Sequence, residues 1–158
     1  MSARIHVGVQ EGDFDIAAEI DRMCEGRADI GAVVTFSGLV RDMTKAEDGK
    51  PVSAMELEHY PGMTERSLEK IAAEAAERWP LQAVTLIHRY GPLLPGDRIV
   101  LAAAASPHRG AAFEAAEFLM DYLKTRAPFW KKETTPDGAS WVDARDADDA
   151  AAARWAKG

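Results

Sequence analysis

Basic side chains crowd into one short stretch of an acidic chain. The stretch begins at Ser106-Pro-His-Arg109 and ends at Lys124-Thr-Arg-Ala-Pro-Phe-Trp-Lys-Lys132. Its basic members are His108, Arg109, Lys124, Arg126, Lys131 and Lys132. Because the 158-residue chain carries a formal charge of −7, this local excess of cations predicts a pocket for an anion such as a phosphate or a carboxylate. The alternative is a solvated helix with a basic end, which the helix dipole also favours.

Two lysines of this stretch are candidates for proton transfer or covalent chemistry. Lys124 closes a predicted helix, next in sequence to Leu123, Phe129 and Trp130. Partial desolvation by these neighbours would lower the pKa of Lys124 and allow it to act as a base or nucleophile. Lys131 alternates with Trp130 on a short predicted strand, so one of the two faces away from the core. A solvent-facing lysine is the simpler interpretation of that pattern.

Further candidates lie outside or at the start of the stretch. Arg41 follows a predicted buried strand and begins a polar loop over 42–51, from which an arginine can reach into a site. Phe36, within that strand, is expected in the core rather than against a ligand. Ser106 could act as a nucleophile beside His108, but Ser-Pro just before a helix is more typical of a cap with proline in the first turn.

Several classes of protein and site are disfavoured. The acidic balance, with a pI near 5.1, argues against general binding of nucleic acids or anionic membranes. No nucleotide-binding glycine motif, HExxH or GxSxG is present, and the four histidines lack metal-ligand spacing. The single cysteine, Cys24, excludes an intrachain disulfide and is expected to be a buried structural thiol. We therefore expect neither a metal nor another cofactor, and a cytoplasmic location by default.

The periodicity of apolar residues predicts the elements that must position these groups. Strands are expected over 4–9, 30–40, 52–60, 83–90, 98–105, 129–134 and 140–142, and helices over 14–25, 63–79, 110–125 and 146–155. Asp13 is the expected N-cap of the first helix. The strands of 83–105 are joined by a short turn and should be antiparallel, and 129–142 resembles a hairpin. The pattern predicts a single α+β domain with a mixed, mostly antiparallel sheet packed with helices.

Five segments carry a family resemblance, in order, from about residue 4 to about residue 145. They are Ile30–Asp42, Leu57–Met63, Arg89–Asp97, Ala105–Arg109 and Phe113–Glu133. Together they closely resemble the large, catalytic subunit of molybdopterin synthase. The resemblance implies an α/β hammerhead-like fold over 1–158, with 145–158 as a terminal helix or tail.

The resemblance also implies a reaction and an assembly. The family converts cyclic pyranopterin monophosphate to molybdopterin by installing two dithiolene sulfurs, a step of molybdenum cofactor biosynthesis. A small ubiquitin-like partner delivers the sulfur as a C-terminal glycine thiocarboxylate. The family assembles as a homodimer of large subunits with one small subunit at each end, a heterotetramer. Both the substrate phosphate and the tail of the partner are anions, which agrees with the basic stretch.

Roles carry over to this sequence residue by residue, as implications of the resemblance. Lys124 and Lys131 would be the catalytic lysines, and Arg41, His108 and Arg109 would bind the phosphate and pterin. His108 and Arg109 would act across the dimer interface. The remaining expected pocket residues are Phe36, Met120 and Arg145.

Two other functions stay open on the residues alone. A non-catalytic module could use the basic stretch to bind an acidic tail, without affinity for a small molecule. A different enzyme of phosphorylated metabolites could use the same scaffold without a thiocarboxylate protein. The pairing of Lys124 and Lys131 around Ala127-Pro-Phe-Trp130 favours the sulfur-transfer hypothesis over the binding module.

Overall fold

The computed structural model describes residues 2–41, 54–135, 138–142 and 146–157. The helices are α1 (Ile16–Cys24), α2 (Met63–Arg78), α3 (Arg109–Arg126) and α4 (Asp146–Ala153), followed by a 3₁₀ turn over Arg154–Lys157. The strands are β1 (Arg4–Gln10), β2 (Ala32–Leu39), β3 (Ala54–His59), β4 (Ala83–Arg89), β5 (Gly91–Leu93), β6 (Arg98–Ser106), β7 (Phe129–Thr135) and β8 (Gly138–Val142). These elements confirm the predicted α+β class.

The strands of the described part form two four-stranded sheets. The first has the order β1-β4-β6-β2, in which β1 is parallel to β4 and the other pairs are antiparallel. The second has the order β5-β3-β7-β8 and is antiparallel throughout. The predicted antiparallel pairing of β4 with β6 and the hairpin of β7 with β8 are both confirmed.

The main core lies between the first sheet and helices α2 and α3. Val84 and Leu86 of β4 and Ala102 and Ala104 of β6 point to this side, because alternate strand residues face the same way. Helix α3 contributes the buried residues Ala112, Ala115, Ala116, Phe118, Leu119, Tyr122 and Leu123. The small alanines of β6 allow the helix backbone to approach the sheet closely. Helix α1 packs on the opposite face of the sheet through Met23.

Strand β2 is an edge strand and not the buried strand that its composition predicts. Among the described strands it pairs only with β6, and all of its residues are half-buried or exposed. Phe36, expected in the core, has 43% of its surface exposed. A segment rich in β-branched residues favours extended structure, but this composition does not show whether the strand lies at the centre or the edge of the sheet.

Two local predictions also need correction. The N-cap of α1 is Asp15, whose carboxylate accepts a hydrogen bond from the Ala18 amide at 3.0 Å. Asp13 instead forms a two-point ion pair with Arg98, with oxygen–nitrogen distances of 3.0 and 2.7 Å. Strand β5 occupies part of the segment predicted as a turn.

Helix α4 and its 3₁₀ turn are fastened to α2 and α3. The indole nitrogen of Trp155 donates to the Asp121 carboxylate at 2.7 Å, and its ring contacts Trp79 and Phe118 edge-on. The Arg78 guanidinium donates to the Trp155 carbonyl at 2.8 Å. In the part of the chain described, no helix has both the length and the apolar character needed to span a membrane.

Candidate active site

The topology gathers several predicted residues at one end of the first sheet. Strand β6 leads into α3, which packs back across β6 and β2, so the C-terminal end of α3 returns over the start of β6. Lys124 lies in this last turn. Arg41 follows β2 at the same end, because Leu39 pairs with Arg98, the first residue of β6. Both cations are exposed.

Lys131 lies on the inner face of the second sheet, contrary to the simpler interpretation of the sequence. It pairs with Leu57 of β3, a buried residue of the small core that the second sheet shares with Val40. Its side chain is 29% exposed, and its ammonium lies 3.5 Å from the carboxylate of Glu133, which is 13% exposed. Trp130 is the neighbour that faces outward, with its ring against Tyr60 at 4.4 Å.

A cluster of rings between the two sheets was not predicted from the sequence. His88, buried at the end of β4, stacks on Phe129 with 3.7 Å between ring centroids and 21° between planes. His59 lies 6.4 Å from Phe129 and 4.2 Å from Tyr90. The sequence identifies His59 and His88 only as histidines without metal-ligand spacing, and nothing in their separation along the chain shows that they meet.

The environment of His88 keeps it uncharged. Burial lowers the pKa of the His88 imidazole to about 4, the hydrogen bond to the Arg89 carbonyl opposes this, and the nearby charges of Lys124 and His59 lower the pKa further. The Nδ1 atom lies 2.7 Å from the Arg89 carbonyl oxygen and must donate to it. The neutral ring therefore carries its lone pair on Nε2.

Lys124 itself is exposed, so its neighbours do not desolvate it as the sequence suggested. Leu123 lies on the buried side of α3 and faces the main core, and Trp130 is exposed. Arg126, two residues further on, has a structural contact: its guanidinium lies 3.6 Å from the Tyr122 ring centroid and 3.4 Å from the Glu74 carboxylate.

Phe36 and Met120 occupy positions from which they could line a pocket. Phe36 pairs with Ala102, whose side chain faces α3, so Phe36 lies on the helix-covered side of the edge strand. Met120 is half-buried and precedes Lys124 by four residues, which places both on one face of α3. Arg145 and the loop 42–51 lie outside the described residues.

His108 and Arg109 lie at the opposite end of α3 from Lys124. At 1.5 Å per residue, Arg109 and Lys124 are separated by about 22 Å along the helix axis. His108 and Arg109 border a cleft of about 560 Å³, which is also lined by Gly31, Ala32, Pro107 and Gly110. Glycine is required at position 31, because a Cβ there would lie 2.0 Å from the Pro107 carbonyl oxygen. Within one chain, the structure does not bring His108 and Arg109 to Lys124.

Ser106 is neither an N-cap nor an accessible nucleophile. It is fully buried, and its hydroxyl donates to the His108 carbonyl. The N-cap position of α3 belongs to His108, which makes no capping hydrogen bond with its side chain. Among the described residues, no group of three or more His, Cys, Asp or Glu side chains could hold a metal ion.

Comparisons with known proteins identify the family. A family model described as MoaE protein matches residues 9–126. The molybdopterin synthase catalytic subunit of Mesorhizobium japonicum is 62% identical over 151 residues, which cover 94% of this chain and 92% of that protein.

Solved structures agree in both fold and sequence. The molybdopterin biosynthesis MoaE protein from Burkholderia ambifaria is 55% identical, has a TM-score of 0.81 and is matched over 99% of each chain. The molybdopterin synthase from Staphylococcus aureus is 36% identical, has a TM-score of 0.76, and is matched over 85% of this chain and 95% of its own. These similarities confirm the resemblance that the sequence motifs carry, and the chain belongs to the MoaE family of molybdopterin synthase catalytic subunits.

Proposed function

We propose that this protein is the catalytic subunit of a molybdopterin synthase and transfers sulfur to cyclic pyranopterin monophosphate. The donor is the C-terminal thiocarboxylate of a small ubiquitin-like partner. The observation that carries the proposal is that Lys124 and Arg41 lie at one end of the first sheet, while Lys131 faces inward on the strand that follows the helix of Lys124. The name of its relatives, catalytic subunit, itself implies a second kind of subunit.

The reaction requires cations because it brings two anions together. The thiocarboxylate is an anionic nucleophile, and the substrate carries a phosphate beside the carbons that receive sulfur. Coulomb repulsion between them grows as water is excluded. Fixed ammonium and guanidinium groups offset this repulsion and stabilise charge that develops during the transfer. Each transferred sulfur leaves the terminal carbonyl carbon of the partner, which must gain an oxygen to end as a carboxylate.

The chain's cations divide naturally between these tasks. Lys124, exposed at the end of α3, would meet the glycine terminus of the partner and support acid–base or covalent chemistry. Lys131, held by Glu133, would assist proton transfer at the pterin. Arg41 would bind the substrate phosphate, with Phe36 and Met120 beside it and Arg145 as a further pocket arginine.

The pocket would be completed by a second copy of this chain. His108 and Arg109 lie about 22 Å from Lys124 within one chain, too far to share one small substrate. In a homodimer, these two residues of one subunit would bind the phosphate in the site of the other. Two such subunits, each with one small partner, would form a heterotetramer.

A reconstitution assay tests the proposed function. The protein is mixed with thiocarboxylated partner and cyclic pyranopterin monophosphate, and molybdopterin is detected as a fluorescent oxidised derivative. Product should depend on both additions and on the thiocarboxylate, with the carboxylate form of the partner as the control. Absence of product while the partner binds would support the binding module instead.

Arg41→Ala provides a more local test of substrate binding. We expect a higher KM for the pterin substrate, by about tenfold to a hundredfold, because a charge-assisted contact to phosphate is lost. The unfolding midpoint should stay unchanged, since Arg41 is exposed. An unchanged KM would remove Arg41 from the substrate site.

A further inference from the structure

The segment that joins the two candidate lysines is held by buried side chains on both sides. Only Ala127 and Pro128 separate α3 from β7. The Ala127 amide donates to the Leu123 carbonyl at 3.2 Å, and the Phe129 amide donates to the Ala127 carbonyl at 2.9 Å. This short connection determines how the strand that carries Lys131 leaves the helix that carries Lys124.

The first buried side chain is Thr64, near the start of α2. It is fully buried, and its hydroxyl donates to the Pro128 carbonyl at 3.3 Å. The Thr64 hydroxyl oxygen also accepts a hydrogen bond from the Tyr60 amide at 3.1 Å. Thr64 therefore links the connection to the turn between β3 and α2. It provides a hydrogen-bond partner for both the Pro128 carbonyl and the Tyr60 amide.

The second is His88, whose ring stacks on Phe129, the residue that begins β7. The ring cannot rotate freely, because Nδ1 donates to the Arg89 carbonyl. Burial keeps the imidazole uncharged, and its Nδ1–H group already donates to the Arg89 carbonyl. What it contributes is a rigid flat surface fixed to the first sheet.

We propose that Thr64 and His88 are positioning residues that hold the 127–129 connection and so set the distance between Lys124 and Lys131. The inference rests on the proposed function of these two lysines. Displacing a catalytic group by about 1 Å can lower the rate by about 100-fold, even when the altered residue does not touch the substrate. Neither Thr64 nor His88 was singled out by the sequence motifs.

Kinetic tests use variants that loosen the connection from each side. We expect His88→Ala and the nearly isosteric Thr64→Val to lower kcat at least tenfold, with KM for the pterin within about twofold. His88→Phe keeps an aromatic surface against Phe129 and should restore kcat to within about threefold of wild type. Thr64→Val keeps the test decisive if His88→Ala does not fold.

Leu86→Ala is the matched control. Leu86 lies two residues before His88 on β4 and is fully buried in the main core, but its side chain has neither a ring to stack on Phe129 nor a polar atom to hydrogen-bond the connection. It should lower the melting temperature at least as much as His88→Ala while kcat stays within about twofold. Equal losses of kcat in Leu86→Ala and His88→Ala would overturn the proposal, because the effect would then follow from stability alone.

A cross-linking measurement separates this proposal from the proposed function. A short amine-reactive cross-linker, applied to the protein without substrate or partner, should join Lys124 to Lys131 in wild type and His88→Phe. Mass spectrometry should show that the yield falls in His88→Ala and Thr64→Val but not in Leu86→Ala. Unchanged yields would refute the positioning role, whereas changed yields in a protein that makes no molybdopterin would refute only the function of the lysines.

Discussion

Lys124 and Lys131 have the same charge but different surroundings. Lys124 is exposed at a helix end, whereas Lys131 is half-buried on the inner face of a sheet and paired with Glu133. An exposed lysine can meet the incoming tail of a protein partner. A half-buried lysine with a fixed counter-ion is better suited to a small substrate. The two environments therefore support the division of tasks proposed above.

Lys124→Ala should nearly abolish sulfur transfer while the protein stays folded. Removing a cation that stabilises developing negative charge costs about 2–4 kcal/mol, or roughly 30-fold to 10³-fold in kcat. The exposed side chain contributes little to packing, so the melting temperature should not change. Lys70→Ala is the control, since Lys70 is an exposed lysine in the middle of α2. Comparable kcat values in the two variants would contradict a catalytic role for Lys124.

The buried imidazole of His88 should make the stability of the fold depend on pH. Folding lowers its pKa from 6.5 to about 4, mainly by burial, and Lys124 and His59 are the charged or titratable neighbours that add to this. Between these pH values the unfolded chain binds a proton that the folded chain does not. The contribution of His88 to stability is therefore complete above pH 6.5 and is lost as the pH falls towards 4, by roughly 3 kcal/mol in all.

Urea denaturation between pH 4 and 7 tests this expectation. The free energy of unfolding of wild type should fall more steeply with acid than that of His88→Phe, which has no group to protonate at this position. Other titrating groups are common to both proteins and cancel in the difference. Parallel curves for the two proteins would mean that His88 titrates normally in the folded state.

At the scale of elements, the sequence predicted most helices and strands but not their partners. Alternation in β7 indicated that Lys131 and Trp130 face opposite ways. Which of them faces inward depended on pairing with Leu57 of β3, more than seventy residues away in sequence. Strand β2 differs from the predicted buried strand for the same reason: composition predicts a strand, whereas its neighbours decide whether the strand lies at an edge. His59 meets Phe129 because β3 pairs with β7, and His88 reaches this pair only because the two sheets pack together.

The C-terminal element is expected to stabilise the fold through Trp155. Trp155→Ala should lower the free energy of unfolding by about 2 kcal/mol, because ring packing on Trp79 and Phe118 and the hydrogen bond to Asp121 are lost. Trp155→Phe keeps an aromatic ring and should lose only about half of this. Urea denaturation of the three proteins measures both differences. No difference between wild type and Trp155→Ala would show that the turn does not contribute.

For the whole molecule, helix α3 separates two sets of candidate residues by its length. One chain presents Lys124 at one end and the cleft of His108 and Arg109 at the other. Two chains related by a twofold axis would bring unlike ends together and form two equivalent sites. Each site would then contain Lys124 of one chain and His108 and Arg109 of the other. Substitutions at the two ends of α3 in one chain would therefore fall in two different sites.

Complementation between two inactive variants tests this arrangement. Lys124→Ala and Arg109→Ala, each nearly inactive alone, are co-expressed or mixed under conditions that exchange subunits. In a mixed dimer one site would carry both substitutions and the other neither, so random mixing should recover about a quarter of wild-type activity. Mixing two preparations of the same variant is the control and should recover none. If instead each site lay within one chain, every site would stay altered, and the mixture would be no more active than the better of the two variants.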